Sequence, residues 1–159
     1  MKRFLLSLLM LAFLSPLALR ADEIIVGTAD GDPTHVVPFG TNKNAIYTQT
    51  IYPKDKIGKS MTIASLAFNC ATPDVTTTAN VKLYIGETDK NSLDNSAGWI
   101  EGLTLVFEGV VTLGGEEWEN FTFNKPYEYS GTQNLVVAIS TSNCATTNEL
   151  KWNWQEVAS

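Results

Sequence analysis

Arginine is the most informative absence: Arg3 and Arg20 are the only two, and the chain beyond them has none. A bidentate grip on phosphate or guanine needs the guanidinium fork. After residue 21 there remain eight scattered lysines against seventeen carboxylates, a formal charge of −9, so the composition excludes a nucleic-acid partner. Histidine occurs once, as His35 in a loop between Pro33 and Pro38, with Asp30 and Asp32 as its only acidic sequence neighbours. Together with the lack of a Gly-x-Ser-x-Gly elbow, this leaves a nucleophilic triad no material. Cysteine occurs twice, without a Cys-x-x-Cys pair, which removes zinc and dithiol redox chemistry. Long apolar runs are also absent, apart from Phe4 to Leu14, which falls short of the ~20 residues a membrane span needs.

What is present begins with a leader. Lys2 and Arg3 precede that apolar run, and Ser15, Pro16, Ala18 and Ala21 follow it, in the layout of a secretory signal peptide over residues 1–21. Cleavage after Ala21 leaves residues 22–159 as one domain, destined for the extracellular space, the cell surface or the periplasm. In an oxidising compartment Cys70 and Cys144 are expected to pair. Each sits in an Asn-Cys-Ala-Thr stretch after an apolar strand, so strands ending at one edge of a sandwich would bring them together.

Alternation dominates the rest. Ile63, Leu66 and Phe68; Val81, Leu83 and Ile85; Leu105, Phe107 and Val111; Trp118, Phe121 and Phe123; Leu135, Val137 and Ile139; and Leu150, Trp152 and Trp154 mark successive strands. Turn formers separate them, including Lys54 to Ser60, Thr72-Pro73-Asp74, Gly114-Gly115 and Ser130-Gly131. The pattern predicts an all-β fold, an antiparallel β-sandwich of seven to nine short strands, jelly-roll-like, with one short helical turn near Asn91 to Asp94. Because Trp152 and Trp154 read as mid-sheet residues near the end of the sequence, a closing strand is expected to be missing and an edge open beside them.

Several segments carry a family resemblance. Val37-Pro38-Phe39, Gln49-Thr50-Ile51-Tyr52, Ile57-Gly58, Ile63 to Phe68, Val81 to Gly86, Trp99-Ile100, Leu105 to Gly109 and Asn134 to Ile139, in this order, resemble the β-sandwich modules of secreted surface proteins of Bacteroidota. The resemblance runs from Ile24 to Trp154. In that group such modules often accompany fibronectin type III-like domains and a C-terminal type IX sorting domain, and the resemblance implies an adhesion or glycan-contact part. The chain departs from the pattern in showing no further domain and no sorting tail, and the family supplies no catalytic residues.

Four constellations bear on chemistry. Gly58-Lys59-Ser60 imitates the end of a phosphate-binding loop, but Pro53 stands where the motif needs glycine. Glu116, Glu117 and Glu119 crowd a turn, yet nothing sets one carboxyl apart as an acid beside an ionised partner, as glycoside hydrolysis requires. Calcium is the one cofactor with candidate ligands, Asp30 and Asp32 in one loop and Asp89, Asn91 and Asp94 in another, although neither has EF-hand spacing and turn-forming roles compete. Lastly, pyranose faces stack on indoles while amides take the hydroxyls, so Trp99, Trp152, Trp154 and Asn153 are the candidate glycan contacts, with Tyr47 and Tyr52 behind them. Core filling competes with that surface and is the role expected for Trp99 and Trp118, and for Trp154 as well. These readings converge on a non-catalytic secreted binding or adhesion module, its partner a glycan or a cell-surface protein. An assembly domain pairing through an open sheet edge is the alternative, and a small glycoside hydrolase stands third.

Overall fold

A computed structural model describes residues 22–27, 35–41, 43–93, 98–144 and 149–153, and within them the alternation becomes six strands and one helical turn. They are β1 (Ala45–Tyr52), α1 (Lys54–Ile57), β2 (Met61–Asn69), β3 (Thr77–Thr88), β4 (Thr104–Leu113), β5 (Trp118–Tyr129) and β6 (Asn134–Ser142). One sheet has the order β1-β6-β3-β4 and the other pairs β2 with β5, every neighbour antiparallel. The molecule is therefore an all-β sandwich, as expected. Among the described residues the helical turn is at Lys54–Ile57, closed by Gly58 in the left-handed conformation, and not at Asn91. Glycine's freedom at positive φ explains why the Gly-Lys-Ser stretch reads as a helix stop. No described helix is long and apolar enough to cross a membrane.

The core lies between the sheets. Ala79, Val81, Leu83 and Ile85 of β3 and Leu135, Val137 and Ile139 of β6 face Ile63 of β2 and Phe121 and Phe123 of β5. Each fully buried large aliphatic or aromatic side chain contributes about 1.5–3 kcal/mol relative to exposure. Directly after β4, Gly114 (φ +79) abuts the Val75 carbonyl so closely that a Cβ there would lie 1.8 Å from the oxygen, which fixes how β4 turns toward β5.

Further expectations need correction, two of them as matters of parity. Trp118 and Phe121 are separated by an odd number of positions, so they point to opposite faces; Phe121 is buried, while Trp118 is 41% exposed and Glu119 takes the inward place. In β4, a register shift opposite Leu83 and Tyr84 turns Val106 inward and leaves Leu105 exposed. The third concerns the closing segment. Trp152 bridges Cys70 on one side and His35 on the other, with its N–H donated to the His35 carbonyl at 3.0 Å, so the edge expected to be open there is occupied.

That segment also engages Cys70. Cys70 N–H donates to the Glu117 carbonyl and Ala71 N–H to the Lys151 carbonyl, while Cys70 Sγ–H points to the Lys151 carbonyl at 3.7 Å. Both Cys70 and Cys144 are free thiols, so the expected disulfide is not formed, because the backbone of Leu150–Asn153 occupies the side of Cys70 toward which its sulfur points. Burial raises the pKa of the Cys144 thiol, which suppresses the thiolate that exchange would need.

Candidate functional site

The outer face of the four-stranded sheet is set by the residues between the core positions. Tyr47 of β1 stands opposite Ser140 of β6, Ser140 opposite Lys82 of β3, and Lys82 opposite Glu108 of β4. The next row places Gln49, Ala138 and Tyr84 side by side. At ~4.8 Å per strand this face is about 15 Å across. Val136 and Ala138 are fully buried although they point away from the core, because residues 99–103 lie over them. Leu103 packs so tightly on Gly86 that a Cβ at residue 86 would meet its Cδ2 at 2.6 Å.

Gln49 anchors this strap. Its Nε2 donates to the Ile100 carbonyl at 2.8 Å and its Oε1 accepts from the Ile100 N–H at 2.9 Å. The same Nε2 donates to the Tyr47 hydroxyl at 3.1 Å. Trp99 is thereby held with its ring edge-on to Tyr47, centroids 5.0 Å apart at 89°, and remains 57% exposed. Two strands from Tyr47 in the same row, the Lys82 ammonium meets Glu108 Oε1 at 2.7 Å. That hydrogen bond, and then the charge behind it, pushes the Lys82 pKa up. A shallow hollow of about 310 Å³ continues the face, lined by Asn80, Lys82, Glu108, Gly109, Val110 and Ser142.

No protein-family model, curated protein or solved structure matches this chain.

The expected glycan contacts separate. Trp99 is exposed on the surface, as a platform needs, but Trp152 is 1% exposed, packed on Phe39 with centroids 4.5 Å apart, and is withdrawn from the contact set. It shares its parity with buried Leu150, which turns Asn153 to the outside. Asn153 is tied to Asn69, donating its backbone N–H to the Asn69 carbonyl at 3.1 Å and its side-chain Nδ2–H to Asn69 Oδ1. Trp154 lies outside the described residues, as do the leader over residues 1–21, Asp30, Asp32 and Asp94.

Of the remaining calcium candidates, Asp89 is exposed at the end of β3, and Asn91 Oδ1 accepts from Asn134 Nδ2 at 3.0 Å. Asn134 also donates to the Lys90 carbonyl and accepts from the Lys54 N–H, so Asn91 belongs to a loop clamp. Lys54 lines the same small hollow, where its ammonium opposes a cation. Among the described residues no group of three or more His, Cys, Asp or Glu side chains converges.

Gln49 was missed from the sequence. Its signal was parity, since Tyr47, Gln49 and Ile51 share one face of β1, but that strand's two faces differ little in hydropathy and hide the alternation.

Proposed function

We propose that this chain is a non-catalytic, exported binding module whose Trp99 face takes a neutral glycan. The observation that carries it is the exposed Trp99 ring, braced against Tyr47 and locked through Ile100 by Gln49. An indole exposed by more than half and held still offers a stacking surface at little entropic loss on binding, while Ser140, across from Tyr47, supplies a hydroxyl, with Tyr84 and Asn80 further along the same face. The acidic balance and the engagement of Lys82 by Glu108 disfavour anionic polymers. The likeness of the sequence to Bacteroidota surface modules, with its signal-like leader, supports an adhesive role at the cell surface.

The test is affinity electrophoresis of residues 22–159 in gels containing hydroxyethylcellulose, laminarin, galactomannan, soluble starch or heparin. Retardation on a neutral polymer, lost in Trp99→Ala with an unchanged circular dichroism spectrum, supports the proposal. Retardation unaffected by that substitution would remove the site. The second reading, assembly through a sheet edge, is favoured by Val110, 71% exposed on β4, which hydrogen-bonds to a neighbouring strand on one side only among the described residues. Concentration-dependent association abolished by Val110→Lys would favour it.

A further inference from the structure

The opposite face of the sandwich carries a second aromatic–amide arrangement. Trp118 of β5 stands directly across from Asn69 of β2, and Asn69 stands across from Asn153, so the three side chains form one row on the outer face. Trp118 is 41% exposed, whereas Asn69 is nine-tenths buried. Asn69 Oδ1 is used by Asn153, but among the described residues Asn69 Nδ2 has no hydrogen-bond partner. A buried amide N–H without an acceptor is destabilising by about 1–3 kcal/mol, and native proteins rarely leave one so unless something else supplies the acceptor.

The neighbourhood says what that something is. Trp118 is accompanied by Asn120, whose Nδ2 donates to the Trp118 carbonyl at 3.3 Å, and by the exposed Ala67, Ser65 and Thr122 in the adjoining rows. An apolar protein partner would need a contiguous apolar patch, and an anion would need cations. A flat indole among amides and hydroxyls suits a neutral sugar, whose C–H face covers the ring and whose hydroxyl oxygen accepts from Asn69 Nδ2 after a small shift of Asn153.

We infer that Trp118, Asn69 and Asn153 form a second, independent neutral-glycan site on the sheet opposite Trp99, making the chain bivalent. The inference shares its ligand class with the function proposed above but none of its residues, so the two fail separately. Bivalency adds cross-linking, because one molecule held by two polymer chains joins them.

The experiment compares wild type, Trp99→Ala, Trp118→Ala and the double variant on the polymers above, reading gel retardation and the turbidity of protein–polymer mixtures. Two sites predict that each single variant keeps retardation at roughly half the wild-type extent or more, that neither produces turbidity, and that the double variant loses retardation altogether. Trp118→Phe, which keeps a stacking ring, is expected to keep turbidity. If Trp118→Ala matches wild type in both readouts while Trp99→Ala abolishes retardation, the second site is overturned and the first stands. If Trp99→Ala changes nothing while Trp118→Ala abolishes retardation, the Trp118 site stands, its partner falls and the bivalency is overturned. Absence of wild-type retardation on every polymer overturns both.

Discussion

Gln49 and Ile100 form a closed pair: one carboxamide satisfies both the N–H and the C=O of a single residue fifty-one positions away. Replacing Gln49 by Leu would leave both backbone groups without partners beneath the strap. The expected result is faster amide exchange at Ile100, by about one to two orders of magnitude for a loss of ~1–3 kcal/mol. Hydrogen exchange followed by NMR measures it, and glycan retardation should weaken in the same variant although Gln49 is itself buried.

Trp152 fills the core between Phe39 and the end of β2. Trp152→Ala is expected to destabilise the fold by ~3–5 kcal/mol. Trp152→Phe should cost a fraction of that, because the buried indole N–H it removes has no hydrogen-bond partner among the described residues. Urea unfolding of both variants distinguishes packing loss from polar loss.

Glu119 gives the protein an acid-side pH dependence. Burial raises its pKa above the ordinary carboxylate value and the charge of Glu116 adds to this, while N–H groups of Gly114 and Glu116 oppose it. The folded state therefore holds this proton more tightly than the unfolded state, and the associated stability, full below the ordinary value, is lost as pH rises through the folded pKa. Glu119→Gln is expected to raise the urea midpoint more in alkaline solution, where the wild-type group is ionised, than in acid, where it carries its proton.

Tyr52 acts at the alkaline end. Burial pushes its phenol up to about 12, and burial also raises Tyr127 and Tyr129. Above pH ~10 the unfolded phenol ionises while the folded one does not, so stability falls from there upward. In a spectrophotometric titration Tyr52→Phe should remove a late-ionising component and flatten that fall.

The fold class was legible because Val81, Leu83 and Ile85 alternate strictly with Lys82 and Tyr84, and β3 organises the larger sheet. The site was half legible. Trp99 could be named from its polar loop, but the side to which Trp118 and Trp152 point depends on single-residue parity, which a three-residue offset or a register shift reverses. Gln49 could not be found by chemistry, since its value lies in a contact with Ile100 that exists only after β1 reaches the larger sheet. The cysteine pairing failed for a similar reason: the sequence places both strand ends at one edge but does not show that Leu150–Asn153 takes the place beside Cys70.

That segment has a consequence for biosynthesis. His35 and Cys70 leave the ribosome long before Trp152, which docks between them, and β1 must wait for β6 in the same way. The interior is plugged by a stretch that emerges after all six strands, so the growing chain carries unpaired strands and an unfilled centre until then. Until that stretch arrives the nascent chain stays pliable, open to holding factors and vulnerable to aggregation.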